Sequence, residues 1–329
     1  MPKIFLFLLI LIPQIFAQVS RAEPVLDPTL PRVLQGKVLS PEETIKYGSY
    51  LFKISNCRDC HFEKGGAFLA GGYKIDSPFG TFYGPNITPD KDTGIGRWTD
   101  DDFIRALRRG VAPNGRNYYP SFPYSSYSKM SDTDILAIKA YIFSRPAVKK
   151  ESKKHELKFP FNIREFISAW KLANFRDAVA YSEDNFIKAR GPYESIPTRD
   201  WEWNRGAYLV EGPLHCAQCH TPRDQIGNFK WKKWMSGSQL GAGEKAASNI
   251  TSSQKFGLGK WTAQDWETFL LEATSKNGTE VTGKMESVID QGTSRLTPAD
   301  LRAVITYLMS LKPVESSESK RDAKKEDIL

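Results

Sequence analysis

Apolar residues recur at helical spacing in several segments of the chain, and a polar residue that favours a helix start precedes most of them. The first such segment is residues 44–55. Ser40 is its predicted N-cap, Pro41 takes the first helical position and Glu43 completes a capping box. Further helix starts are predicted at Thr99, Ser131 and Thr297. The pattern predicts short amphipathic helices, each with one apolar face on a core.

Much of this pattern occurs twice along the chain. Residues 46–51, Lys-Tyr-Gly-Ser-Tyr-Leu, return as residues 204–209, Asn-Arg-Gly-Ala-Tyr-Leu. The tripeptide Asn-Ile-Thr at 86–88 returns at 249–251. Because the repeat length is about 160 residues, the repeat indicates a duplicated domain and not a solenoid.

The duplication divides the chain into two predicted helical domains, residues 23–145 and 200–312. Residues 146–199 join them, and the aromatic side chains of this joining segment predict that it is ordered across the seam between the domains. The glycine-rich stretch 65–84 is predicted to be a loop, and the charged residues 313–329 are predicted to be disordered. The expected fold class is therefore all-α.

Residues 1–22 have the features of a secretory signal peptide. Lys3 is followed by an apolar run from Ile4 to Phe16 and then by a small-residue cleavage site. The run is shorter than a typical membrane span, so cleavage is favoured over a retained anchor. The protein is therefore predicted to be periplasmic, with any attachment to the membrane made through a partner.

The charge of the chain changes this picture little. Its 46 Lys and Arg residues outnumber its 38 Asp and Glu residues, and the formal net charge is +8. Such an excess can indicate nucleic-acid binding. Here the signal peptide accounts for two of the basic residues, and the basic run at 149–154 is typical of a solvated linker. No nucleic-acid partner is predicted.

All four cysteines fall in two C-x-x-C-H boxes, C-R-D-C-H at 57–61 and C-A-Q-C-H at 216–220. Two thiols at this spacing can form thioethers to one porphyrin, and the histidine that follows can then bind its iron. The sequence therefore predicts two covalently bound haem c groups. The predicted attachment residues are Cys57, Cys60, Cys216 and Cys219, and the predicted iron ligands beside them are His61 and His220.

Three other interpretations of the cysteines account for less of the pattern. The two pairs could form one four-thiolate zinc site, but such sites do not require a histidine after each pair. They could be redox dithiols, which normally follow a strand, and no strand pattern precedes either box. They could be disulfides, for which the trailing histidine has no use. Haem attachment is the interpretation that uses every residue of both boxes.

Beyond the boxes, several segments together carry a family resemblance. They are residues 86–90 (Asn-Ile-Thr-Pro-Asp), 93–99 (Thr-Gly-Ile-Gly-Arg-Trp-Thr), 119–124 (Tyr-Pro-Ser-Phe-Pro-Tyr), 159–162 (Phe-Pro-Phe-Asn) and 204–212 (Asn-Arg-Gly-Ala-Tyr-Leu-Val-Glu-Gly). Over residues 40–312 the chain resembles the dihaem cytochrome c proteins related to the cytochrome subunits of periplasmic alcohol, aldehyde and gluconate dehydrogenases. The resemblance implies two class I-type cytochrome c domains in tandem, joined by a long ordered segment.

The resemblance also implies a function. The chain is expected to carry electrons from a periplasmic or membrane-associated dehydrogenase to the respiratory chain, with a terminal oxidase, a quinone or another cytochrome as acceptor. It is expected to be an electron-transfer protein or a dehydrogenase subunit and not an enzyme by itself. The alternative is a dihaem oxidoreductase, of the peroxidase or thiosulfate-oxidising type, with the first haem as its active site.

The sixth iron ligand would separate these two functions, because a thioether closes the coordination sphere and an open position admits a small ligand. Met285 lies in a polar stretch before the last helix, where this kind of fold places its axial methionine, and it is the predicted second ligand of haem 2. In the first half, relatives with Tyr-Pro-x-Met-Pro-Tyr have methionine where this chain has Phe122. Met130 is therefore the predicted ligand of haem 1, and the rival is an open or differently ligated iron.

Two tryptophans and two histidines are further candidates for a role at the haems. Trp98 and Trp261 stand at equivalent points before their helices, where each indole could bond a haem propionate or simply pack on its neighbours. His155 and His215 are predicted to be ordinary surface histidines.

Overall fold

The computed structural model describes residues 26–174, 191–239 and 246–315. The predicted signal peptide and residues 316–329 of the predicted tail lie outside these ranges. The helices of the first half are α1 (Pro41–Ile54), α2 (Cys57–His61), α3 (Asp100–Arg109), α4 (Tyr124–Tyr127) and α5 (Asp132–Phe143). Those that follow are α6 (Glu165–Asn174) in the joining segment and then α7 (Trp201–Glu211), α8 (Ala217–His220), α9 (Ala263–Glu272), α10 (Lys284–Gln291) and α11 (Pro298–Ser310).

The helix starts predicted from the sequence are confirmed. The Ser40 hydroxyl accepts from the Glu43 backbone N–H at 3.2 Å, and the Glu43 carboxylate accepts from the Ser40 N–H. These two bonds satisfy backbone groups that the first turn of a helix leaves without a partner. The side chains of Thr99, Ser131 and Thr297 cap α3, α5 and α11 in the same way.

The predicted all-α fold class is wrong, because the structure contains a three-stranded antiparallel sheet. The arrangement as two class I-type domains in tandem stays a prediction. Its strands are β1 (Lys74–Ser77), β2 (Gly80–Tyr83) and β3 (Glu156–Leu157), in the order β1-β2-β3. β1 and β2 form a hairpin inside the glycine-rich stretch for which the sequence predicts a loop. β3 belongs to the joining segment, so the sheet fastens that segment to the first half.

Two glycines allow the first and last helices of each half to cross closely. A β-carbon on Gly48 of α1 would lie 1.8 Å from the carbonyl oxygen of Ala137 in α5, and one on Gly206 of α7 would lie 1.9 Å from that of Ala303 in α11. No side chain fits at such a distance, so only glycine permits these crossings. The two glycines occupy matching positions in the repeat, and the duplication is therefore present in the packing as well as in the sequence.

A fully buried carboxylate joins the two halves through tyrosines. Asp134, in the first turn of α5, accepts a hydrogen bond at 2.8 Å from the hydroxyl of Tyr47 in its own half. Its other oxygen accepts at 2.6 Å from the hydroxyl of Tyr208 in the second half. Both oxygens of the carboxylate are thus bonded, one from each half, as a buried charged group requires.

The matching aspartate of the second half repeats the arrangement. Asp300, in the first turn of α11, is bound by the Nε and Nη2 of Arg205 in its own half at 2.8 and 3.0 Å. The hydroxyl of Tyr50, from the first half, donates to the same carboxylate. Arg205 takes the place that Tyr47 has in the first half, and its bidentate contact supplies a positive charge to this carboxylate.

We expect Asp134 to give the protein a stability component that falls as pH rises. Burial raises the pKa of Asp134 from 3.8 to about 6, against the lowering effects of Arg205 and the two tyrosines. The folded state therefore holds its proton more tightly than the unfolded state, and stability decreases between about pH 4 and about pH 6. Asp134→Asn should remove this component, as measured by urea unfolding over a pH series.

The matched control is Asp101→Asn, which changes an exposed aspartate of α3. This variant should keep the pH dependence of the wild type. Equal slopes for wild type and Asp134→Asn between pH 4 and pH 6 would contradict the assignment.

Candidate haem sites

The residue directly before each C-x-x-C-H box has the left-handed backbone conformation. Asn56, with φ of 50°, separates α1 from the first box, and His215, with φ of 42°, separates α7 from the second. Asparagine and histidine are both among the residues that are enriched in this conformation. This backbone conformation turns the chain, so each short cysteine-bearing helix runs in a different direction from the long helix before it.

The surroundings of the four thiols do not favour redox or zinc chemistry. None of the four cysteines, all of which lie within the described ranges, forms a disulfide, and burial is the first cause that raises the pKa of Cys57 and Cys216 to about 12. Reactive thiols need the opposite shift of the pKa. In the same ranges no group of three or more His, Cys, Asp or Glu residues is arranged to hold a metal ion.

The two boxes lie close to each other across the seam. Burial, followed by the negative charge of Asp59, raises the pKa of Cys60 to about 11, and Cys219 of the other box adds to the increase. Across the same boundary, Nε2 of His215, directly before the second box, lies 3.3 Å from the carbonyl oxygen of Ser55, two residues before the first box. The structure therefore brings the two predicted attachment sites together at the boundary between the halves.

The two box histidines are oriented in the same way, with Nδ1 facing a backbone carbonyl oxygen. Nδ1 of His61 lies 2.8 Å from the carbonyl oxygen of Pro85, and Nδ1 of His220 lies 2.8 Å from that of Ser248. Because a carbonyl oxygen can only accept, Nδ1 carries the proton, and Nε2 keeps the lone pair that a metal needs. Burial also lowers the pKa of both rings and so favours their neutral form. These residues fit a haem iron.

Two matching asparagines fix the loops that supply these carbonyl groups. The Oδ1 of Asn86 accepts from the backbone N–H of Thr88 at 2.9 Å, and the Oδ1 of Asn249 accepts from that of Thr251 at the same distance. Their amide groups reach the next part of the chain, where they donate to the carbonyl oxygens of Val148 and Val314 at 2.8 and 2.9 Å. Each loop is therefore tied down beside its histidine.

The second-half methionine lies on a helix and not in the polar loop that the sequence suggested. Met285 is half-buried in the first turn of α10, after Gly283, whose φ is 81°. The capping carboxylate of Glu286 accepts from the Gly283 N–H at 3.1 Å. The helix fixes the backbone direction of Met285 more tightly than a loop would.

The first-half methionine, Met130, is fully buried at the seam. Its carbonyl oxygen accepts from Nη2 of Arg108 at 2.9 Å. The Cγ of Met130 lies 3.7 Å from the position that a β-carbon on Gly212 would take, so this side chain faces the second half. Phe122 is partly buried and packs edge-on against Tyr118 and Tyr127, with ring centroids 5.6 and 5.7 Å away.

Trp98 and Trp261 both pack on neighbouring aromatic rings. Trp98 packs edge-on against Phe103 at 6.4 Å between centroids, and Trp261 packs against Trp266 at 5.2 Å. A bond from either indole N–H to a haem propionate stays a prediction. His155 is exposed, as predicted, and its Nδ1 accepts from the N–H of Tyr83.

The surface prediction for His215 is wrong. The side chain is only partly exposed, its Nε2 lies 3.3 Å from the carbonyl oxygen of Ser55, and its ring meets the edge of Tyr127 at 5.7 Å. The hydroxyl of Tyr127 donates to the same carbonyl group at 3.3 Å. His215 therefore belongs to the seam, where it connects the start of the second box to the start of the first.

Comparison with known proteins identifies relatives that match most of this chain. The diheme cytochrome c-type protein of Cereibacter sphaeroides is 34% identical over 275 residues, which cover 82% of this chain and 86% of that protein. The fructose dehydrogenase cytochrome subunit of Gluconobacter japonicus is 36% identical over 270 residues, 82% of this chain and 52% of that subunit. The gluconate 2-dehydrogenase cytochrome c subunit of Pantoea cypripedii is 36% identical over 282 residues, 84% of this chain and 61% of that subunit.

The chain therefore spans about half of the fructose dehydrogenase cytochrome subunit and about three fifths of the gluconate dehydrogenase one. No family model matches it. Within the three described ranges, no helix has the length and apolar character needed to cross a membrane.

We expect Asn249→Ala to destabilise the protein by about 1–3 kcal/mol, because it leaves buried backbone groups of Thr251 and Val314 without their partner. Denaturant unfolding of the purified protein measures the change. Asn277→Ala is the matched control, since Asn277 begins another Asn-x-Thr sequence on an exposed turn. Equal loss of stability in the two variants would contradict a specific role for the Asn249 loop.

Proposed function

We propose that this chain, which belongs to the family of dihaem c-type cytochromes and cytochrome subunits of dehydrogenases, holds two covalently bound haem c groups and passes electrons from a dehydrogenase to the respiratory chain. The observation that carries the proposal is the repeated histidine geometry. Both boxes turn Nδ1 to a carbonyl oxygen at 2.8 Å and leave Nε2 for iron. When bound, haem supplies one-electron redox chemistry, and the protein supplies its position and surroundings.

The proposed roles of the residues follow from this geometry. Cys57 and Cys60 attach the first haem, and Cys216 and Cys219 attach the second. His61 and His220 are the proximal ligands, held in one tautomer by the loops of Asn86 and Asn249. Met130 and Met285 are the proposed sixth ligands. For Met285 the support is its position at the start of α10.

The proposed donor is a dehydrogenase, because relatives whose alignments cover 82% or more of this chain are cytochrome subunits of fructose and gluconate dehydrogenases. A terminal oxidase, a quinone or another cytochrome would accept the electrons. We place the protein in the periplasm on the basis of the leader-like residues 1–22. The alternative function, a dihaem oxidoreductase of the peroxidase or thiosulfate-oxidising type, finds no support in the names of these relatives.

The first test is the number of haems on the purified protein. Haem absorbance in alkaline pyridine, compared with the protein concentration, should give two haems per chain. Replacement of both Cys216 and Cys219 with serine should leave one, still bound covalently after denaturation. A wild-type ratio of one, or haem that dissociates on denaturation, would overturn the proposal.

The second test concerns the sixth ligands. Methionine bound to ferric haem gives a weak near-infrared absorption band, and loss of the thioether lowers the reduction potential. We expect Met285→Leu to remove the part of this band that belongs to the second haem and to let reduced protein bind carbon monoxide. Met130→Leu should do the same for the first haem.

Met309→Leu serves as the control for both variants, because Met309 is 43% exposed on α11 and lies on neither candidate ligand segment. It should leave the band intact. An unchanged band in Met130→Leu would show that Met130 only fills the core, and an unchanged band in Met285→Leu would remove Met285 as a ligand.

A further inference from the structure

We infer that each haem box positions the sixth-ligand segment of the opposite half, and that Asp59 of the first box is the positioning residue for Met285 of the second half. This inference rests on the proposed function, because it takes haem attachment at both boxes and ligation by Met285 from it. What it adds is a residue of one site that controls the coordination of the other.

The contacts of α10 carry the argument. The hydroxyl of Ser287 donates to Oδ2 of Asp59 at 2.7 Å, although the two residues are 228 positions apart. One turn further along α10, Oε1 of Gln291 accepts from Nη1 of Arg58 at 3.2 Å. Both spacer residues of the first box therefore hold α10, which carries Met285 in its first turn.

A third contact holds the start of the same helix. The Lys284 ammonium group is hydrogen-bonded to the hydroxyl of Tyr73 and lies 4.5 Å from the centre of its ring. Tyr73 belongs to the first half, next to β1. Met285 thus lies between two points, Lys284 and Ser287, at which α10 is attached to the first half. The rotation of α10, and with it the direction of the Met285 side chain, depends on these attachments.

The second box makes the reciprocal contact. The Nε2 of Gln218 donates to the hydroxyl oxygens of Ser125 and Ser126 at 2.7 and 3.0 Å. These serines lie on α4, between Phe122 and Met130 in the segment that would supply the sixth ligand of the first half. The Nη2 of Arg223 donates to Oε1 of Gln218 at 2.6 Å and so fixes which end of the amide faces the serines.

The box residues of these two contacts occupy the same place in the repeat. Asp59 and Gln218 are each the second spacer residue of their box, directly before the second cysteine. Each bonds to serine in the opposite half, with the carboxylate as acceptor in one case and the amide as donor in the other. One accidental contact could result from packing alone. The use of the same box position in both halves indicates that each box of this protein holds the ligand segment of the opposite half.

Removal of the Asp59 contact should loosen Met285 without removing it. Partners that orient a metal ligand typically change metal-site properties by one to two orders of magnitude when they are lost. In Asp59→Ala we therefore expect imidazole to bind the ferric second haem about tenfold more tightly, as it displaces a less firmly held thioether. The Met285-dependent part of the near-infrared band should decrease in the same sample, and the reduction potential of that haem should fall.

Variants on the other side of the contact separate positioning from damage to the first box. Ser287→Ala removes the donor without changing any box residue, and it should produce the same changes as Asp59→Ala. Asp59→Asn keeps an oxygen that can accept from Ser287 and should restore the wild-type band. Asp290→Ala removes an exposed acid from the same helix and should have no effect on imidazole affinity.

The outcomes distinguish this inference from the proposed function. If Met285→Leu removes a component of the band and Asp59→Ala and Ser287→Ala leave that component and the imidazole affinity unchanged, the positioning role is overturned and the proposed ligand stands. If Met285→Leu changes nothing, the proposed ligand and the positioning role fail together. Loss of the Met285 component in both Asp59→Ala and Ser287→Ala, with recovery in Asp59→Asn, supports the inference.

Discussion

The need to satisfy two buried carboxylates organises this protein. Asp134 and Asp300 are almost completely inaccessible to solvent, and a buried charge is tolerated only when its oxygens are bonded. Each is bonded from its own half and also from the other, through Tyr208 and Tyr50 respectively. The Oδ2 of Asp134 takes its hydrogen bond from the other half, and Asp300, whose two oxygens Arg205 already bonds, gains a further one from Tyr50. Both contacts favour one orientation of the halves. The carboxylates begin α5 and α11, which cross the helices that lead into the boxes, and so this orientation also sets where the boxes lie.

A consequence of that orientation is that the boxes share one boundary. The carbonyl group of Ser55, just before the first box, lies within hydrogen-bond distance of the His215 ring that precedes the second. A sequence duplication alone would permit two independent modules joined by a tether. The contacts at the seam instead pack the two halves into a single unit, in which only a few bonds separate one box from the other.

The sequence was informative wherever a rule is local. The capping residues Ser40 and Thr99 act within four residues of each helix start, and the helices begin where these residues predict. The hairpin of β1 and β2 was missed because its strands are four residues each and lie among glycines that signal a loop, and because β3 comes from a distant part of the chain. His215 was misjudged for a related reason. Its burial depends on the opposite half, which no local pattern reports. The sequence shows that Asp59 and Gln218 occupy the same position in the two boxes. It does not show the serines to which they bond, because these lie in the opposite halves.

The two proposed sites differ in ways that bear on the direction of electron flow. The first ligand segment surrounds Phe122 with aromatic rings, whereas Met285 lies on α10 between the exposed Lys284 and Glu286. Apolar surroundings favour the reduced iron, which carries less charge, and so would raise the potential of a haem held at the proposed first site. The axial ligand has the larger effect, since ligand identity alone can move a haem potential by as much as about 0.8 V. If methionine binds both irons as proposed, burial would decide, and the first site would be the stronger acceptor. If methionine binds only the second iron, the ligand would outweigh burial, and electrons would run from the first site to the second.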